Sequence, residues 1–345
     1  MLVTADRVFG GHLYVRNGKI AAISDDGMLP AREELDAAGL YVLPGMLDCH
    51  AHINDPGFTW REDLPHASEA AAVGGVTTLI DMPLQNTPPL TSADAFANKL
   101  AVFEGRSLVD YAFWGGLVTD NTAELAGMDA VGAVGFKAFI APVSLGYSSV
   151  DMGLAREALF RIKAFGGLAG FHCEDHALIC AGEAKAKAGG GTRRAFLDSR
   201  PVVAEVIATA NVIELARETG ARVHICHVSH PRVAELVRRA QADGLSVTGE
   251  TCPHYLVFTE ENLLSGGTVF KCAPPLRTAE ARDGLWEYVL DGTLSCIGSD
   301  HSPSRPDEKD EAVHGVMGAW GGLPGIPRRH YTAPHTFAVR RVNYG

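Results

Sequence analysis

The chain has 345 residues, 46% hydrophobic and 21% charged, a globular composition with apolar mass for two ordinary domains or one large barrel with an appendage. A net charge of −11 with no basic block argues against a nucleic-acid surface, and no apolar run reaches membrane-spanning length. Seven cysteines without paired spacing read as reduced, cytoplasmic thiols, and Met1-Leu-Val-Thr-Ala-Asp-Arg7 lacks the charged start and long apolar stretch of a signal peptide.

In chain order, residues 1–41 read as short strands and turns. Asn17-Gly18 between two apolar runs predicts a hairpin, so a small β unit precedes the main domain. From Tyr41 onward, strand-like runs at 41–49, 76–82, 109–117, 133–140, 167–172, 222–228, 245–250 and 294–299 alternate with amphipathic stretches. The helical stretches include 62–73, 91–104, 151–165, 201–219, 230–243 and 279–291. Eight such β/α steps predict an α/β fold, a TIM-type (β/α)8 barrel. No Gly-x-Gly-x-x-Gly follows a strand to favour a doubly wound sheet. Residues 181–200, rich in Lys, Ala and Gly, read as an exposed insertion.

Barrel enzymes place their chemistry at the C-terminal ends of the strands. There the first strand offers His50 and His52, whose i, i+2 spacing puts both imidazoles on one face. The fifth strand ends at His172, the sixth at His227 and the eighth at Asp300, while the fourth carries Lys137 inside an apolar run. A lone lysine there is ordinarily one that snorkels to the rim. A buried neutral amine beside two cations has another course, since it can add carbon dioxide and become a carbamate, an anionic ligand that bridges both. On that reading His50, His52 and Asp300 hold one divalent ion, His172 and His227 the other, and the Lys137 carbamate joins them. Asp300 then serves as general base and acid. Strand parity points Cys49, Cys173 and Cys226 to the helix side, as small core residues. The same parity sets His224 on the face opposite His227, as a packing histidine. His254 and His301 stay open between ligand-orienting groups and plain loop residues.

The motifs Pro44-Gly-Met-Leu-Asp-Cys-His-Ala-His52, Gly74-Gly-Val-Thr-Thr78, Gly135-Phe-Lys137, His172-Cys-Glu174, His227-Val-Ser229, Cys252-Pro-His-Tyr255, Pro274-Pro-Leu-Arg277 and Gly298-Ser-Asp300-His301 form a specific set. Through them the chain resembles the cyclic amidohydrolases of the amidohydrolase superfamily, the allantoinases, hydantoinases (dihydropyrimidinases) and dihydroorotases, from residue 1 to about 326. The resemblance implies a metal-dependent barrel over 42–326 and a small β-sandwich built from both chain ends, with 1–41 as its N-terminal part. It also implies two metal ions, usually zinc, bridged by a carboxylated lysine, and hydrolysis of a C–N bond in a small cyclic amide or ureide. Relatives are commonly homotetramers, so a homo-oligomer is expected.

Within the family, dihydroorotases usually carry an arginine where this chain has Asn54, and a neutral amide cannot pair with a substrate carboxylate. Hydantoinases typically place a tyrosine shortly after the lysine, whereas here the first is Tyr147. Met82-Pro-Leu-Gln85, Lys271-Cys-Ala-Pro-Pro275 and Ala319-Trp-Gly-Gly-Leu-Pro-Gly325 resemble allantoinases, so allantoin is the expected substrate and allantoate the product. Asn54, Cys272, Pro274 and Gly321 are the expected substrate contacts. The alternatives are hydantoin or dihydropyrimidine hydrolysis, dihydroorotate hydrolysis, and a non-catalytic hydantoinase-like scaffold. Loss of metal ligands marks that last branch, and none is lost here. Residues 327–345 lack an amphipathic period, are locally basic and read as a truncated or frameshifted end. The resulting expectation is exposed apolar surface and lowered stability.

Overall fold

The computed structural model describes residues 1–143 and 146–326, so the atypical tail over 327–345 lies outside the described residues. The chain divides into two compact units, with Met1–Met46 in the first and the second beginning at Leu47. In the first, β1 (Leu2–Val3) pairs antiparallel with β2 (Val8–Phe9), and Leu2 also bridges to Val42. The predicted hairpin is β3 (His12–Arg16) with β4 (Lys19–Ser24). Its turn uses Asn17 at φ 52° and Gly18 at φ 73°, the left-handed values that a two-residue turn of this kind requires. Val15 and Ile20 on this hairpin are exposed.

The second unit alternates strands and helices. It opens with β5 (Met46–Ala51), α1 (Leu64–Gly74), β6 (Val76–Asp81), α2 (Ala93–Phe103), β7 (Asp110–Phe113), β8 (Gly115–Gly116) and α3 (Leu125–Ala130). The middle comprises β9 (Phe136–Phe139), α4 (Met152–Ala164), β10 (Leu168–His172), α5 (His176–Ala188), α6 (Arg193–Ser199), α7 (Val202–Thr219), β11 (Arg222–Ile225) and α8 (Pro231–Ala242). It finishes with β12 (Val247–Thr251), α9 (Pro253–Val257), α10 (Glu260–Gly266), α11 (Ala279–Leu290), β13 (Cys296–Ile297) and α12 (Glu311–Gly318). Polar side chains at Asp63, Ser92, Asp151, Asp175 and Thr278 cap helix N-termini by accepting from backbone N–H groups of the first turn.

The strands form a (β/α)8 barrel. Pairing runs β5-β6-β7 and β8-β9-β10-β11-β12-β13, and the ladders from β6 onward are parallel. The predicted strand 109–117 is therefore broken at Trp114, which splits it into β7 paired with β6 and β8 paired with β9. A parallel bridge between Ala51 and His301, with His52 N–H donating to the His301 carbonyl at 2.8 Å, joins the last step to the first. Phe136 and Phe171 on the strands meet Leu159, Ile162 and Val212 on the helices in one apolar core. Inside the barrel, the Trp114 ring occupies space that a Cβ at Gly135 or Gly170 would enter, at 2.4 and 3.0 Å.

The supposed insertion at 181–200 is not exposed loop. It is the end of α5, a glycine turn and all of α6, with Phe196, Leu197 and Arg200 buried. Its lysines occupy the outer face of a helix, a pattern that composition alone reads as loop. Among the described residues no helix is long and apolar enough to cross a membrane.

Candidate metal centre

His50 is on β5, and His52 follows its last residue. Lys137 is within β9, His172 ends β10, His227 follows β11, and Asp300 follows β13. All six groups meet at the C-terminal rim, and all but Asp300 are nearly fully buried. Asp300 Oδ1 lies 3.2 Å from His52 Nε2 and 3.3 Å from His50 Nε2. His172 Nδ1 is 3.0 Å from His227 Nε2. The His50 and His227 rings sit 5.5 Å apart, which joins the two groups into one constellation.

Two of these residues stand at left-handed backbone positions, His227 at φ 39° and Asp300 at φ 46°. Such values are costly for residues other than glycine and cluster at functional sites. They also break strand alternation. Parity set His224 and Cys226 on the helix side, but β11 ends at Ile225, and its core-facing residues are Val223 and Ile225. His224 therefore points into the barrel, bonded to Thr248 Oγ1, and Cys226 lies beside Lys137, His50 and Glu250. Cys49 is likewise corrected, since its thiol contacts Glu250 and Cys296. Cys173 does pack towards the helices, beside Thr209 of α7.

The protonation states suit cation binding. Burial pushes His52 down to about 4 and also lowers His172 and His227, favouring neutral imidazoles with free lone pairs. Burial opposes ionisation of Asp300, but His50, His52 and His227 outweigh it and hold the carboxylate well below its usual range. Lys137 Nζ is buried without a hydrogen-bond partner among the described residues. An ammonium left that way costs several kcal/mol, which fits a lysine that carries a carbamate facing cations. His52 Nδ1 and His227 Nδ1 are buried and unpartnered as well. The donor set therefore fits a divalent metal centre.

Carboxylates behind the rim hold the imidazoles. Glu250 on β12 bonds His50 Nδ1, and Glu174 Oε2 is 2.7 Å from His172 Nε2. Burial alone would raise the Glu174 carboxyl, yet Arg200 and His172 outweigh it and set it at about 2. Arg200 also reaches Glu183 at 2.9 Å. His301 is buried and bonds Glu62, while His254 is buried against Tyr255 with Nε2 unpartnered among the described residues. The sequence reading missed Glu250 and Arg200. A carboxylate closing the apolar run Val247-Thr-Gly-Glu250 was the available signal for the first; nothing local marks the second. Replacing Arg200 with methionine removes the cationic partner of Glu174 and leaves its charge held by His172. Metal affinity should then fall about 10- to 100-fold, measured by chelator competition.

Of the expected substrate contacts, Asn54 is fully buried and neither polar atom of its side chain has a partner among the described residues. Pro274 follows a cis peptide bond, and its carbonyl accepts from the Tyr255 hydroxyl at 2.6 Å. Gly321 is exposed beside Lys271. The Cys272 thiol lies in the apolar core beside Tyr255. Tyr147 is buried, and its hydroxyl donates to the Lys137 carbonyl at 2.6 Å.

A family model described as dihydro-orotase-like matches residues 39–232. The chain is 41% identical to an allantoinase of Streptomyces avermitilis over 298 residues, covering 86% of this chain and 66% of that one. It is 37% identical to an allantoinase of Deinococcus radiodurans, covering 90% of this chain and 69% of that one. The chain thus spans about two thirds of the length of the curated relatives it matches. Among solved structures, an L-hydantoinase (dihydropyrimidinase) from Arthrobacter aurescens superposes with a TM-score of 0.90 at 36% identity, covering 94% of this chain and 73% of that one. Fold, motifs and these likenesses agree, and the chain belongs to the dihydroorotase-like cyclic amidohydrolases.

Proposed function

We propose that the chain hydrolyses a cyclic ureide, converting allantoin and water to allantoate. The observation that carries the reading is the rim itself: four histidines and Asp300 gathered around a buried Lys137 amine that has no hydrogen-bond partner among the described residues. His50, His52 and Asp300 would hold one divalent ion, zinc being the first choice, and His172 and His227 the other, with carboxylated Lys137 between them. Bound there, the ions supply an acidified water and an electrophile for the ring carbonyl. The Asp300 carboxylate, kept ionised by its imidazole neighbours, takes the proton of the attacking water and delivers it to the ring nitrogen as the C–N bond breaks. Glu250 and Glu174 keep His50 and His172 oriented throughout.

The substrate follows from the rim's unpaired polar atoms. The Asn54 amide, Gln85 Oε1 and His254 Nε2 each lie just beyond a strand end and lack internal partners among the described residues. These neutral donors and acceptors suit a polar, uncharged ureide better than the carboxylate of dihydroorotate. Allantoinases at 37–41% identity support the same choice. The likeness to hydantoinase structures favours hydantoin or dihydropyrimidine rings as the second reading, but Tyr147 is committed to the Lys137 carbonyl. A turnover panel of allantoin, hydantoin, dihydrouracil and dihydroorotate on metal-reconstituted protein decides between them. Allantoin should show the highest kcat/KM; preference for any other member rejects the assignment, and no turnover with metal bound favours the scaffold.

A further inference from the structure

At the N-terminal mouth of the barrel, opposite the candidate centre, lies a cavity of about 570 Å³ whose lining includes Cys49, Trp114, His224, Thr248 and Cys296. Nothing in the hydrolytic reading uses the thiols there. Cys49 Sγ lies 3.5 Å from Cys296 Sγ and 3.2 Å from Glu250 Oε2. The ligand atoms of these three residues all fall within 4.8 Å of one another. With metal–sulfur bonds of about 2.3 Å, two thiolates of a tetrahedral zinc site stand about 3.8 Å apart, so the observed spacing needs little adjustment.

His224 flanks the set, with Nδ1 2.8 Å from Thr248 Oγ1 and Nε2 3.5 Å from Glu250 Oε2. We propose that Cys49, Cys296 and Glu250 form a binding site for a soft divalent cation, zinc or cadmium, separate from the centre on the opposite rim. Thiolate ligands select such ions over magnesium or calcium. On binding, each thiol gives its proton to solvent. Glu250 is common to both sites, since its other oxygen bonds His50.

The test uses cadmium on full-length protein carrying Cys180→Ser, which removes the exposed thiol. Titration should give an ultraviolet thiolate-to-cadmium absorption whose plateau corresponds to one thiolate-bound cadmium per chain, the opposite rim taking up further ions without such absorption. Bound cadmium should also protect both Cys49 and Cys296 from iodoacetamide, read by peptide mass spectrometry. Adding Cys49→Ser and Cys296→Ser should abolish the absorption while the circular dichroism is kept. The protection experiment needs neither of those variants, so a folding defect in them leaves the proposal testable. No absorption in the parent, absorption retained in the double variant, or equal alkylation with and without cadmium overturns it.

Discussion

Replacing Lys137 with alanine should abolish hydrolysis and strip the protein of part of its metal. The loss should exceed the about 10- to 100-fold typical of an outer-shell partner, because the group removed would be a ligand shared by both ions. Lys137 is fully buried on β9, paired in register with Gly170, and its amine has no partner among the described residues. A lysine with a merely structural role would leave metal content and kcat unchanged and would lower only the melting temperature. The expected pattern is therefore specific: metal content and kcat fall together, while melting of the metal-free protein is unchanged or improved. Short carboxylic acids, which can stand in the space of the missing carbamate, should restore part of the activity. Full activity in the alanine variant would reject the bridging role.

Asp300→Asn is the second large effect. The amide keeps an oxygen where the carboxylate is but cannot take a proton from the attacking water. The expected loss in kcat is about 10²- to 10⁴-fold, the range of a lost general base, with KM changed far less. Asp300 stands between His50 and His52 and is held in a left-handed backbone conformation after β13. A rise in KM with kcat unchanged would instead assign it to substrate binding.

The sequence was most legible where local chemistry repeats. The Asn17-Gly18 turn, the barrel rhythm and the strand-end histidines follow from turn preference and period-two alternation. Legibility failed where alternation stops. His227 and Asp300 reach the rim through left-handed backbone, so counting faces across those positions misassigned Cys226 and His224. The last strand, expected over 294–299, is reduced to Cys296–Ile297, because the step beyond it pairs through His301 with Ala51. Glu250 and Arg200, which support the rim histidines, were also missed. Arg200 reaches Glu174 from 26 residues away, a contact that only the packed α6 creates.

A two-ion centre on this rim makes a stoichiometric prediction. Its most direct test is the metal-to-chain ratio of active protein carrying Cys49→Ser and Cys296→Ser, which excludes the thiols of the opposite mouth. Close to two ions per chain, with allantoin turnover lost on chelation and regained on adding zinc, is the predicted result. Turnover that persists with less than one ion per chain would contradict it.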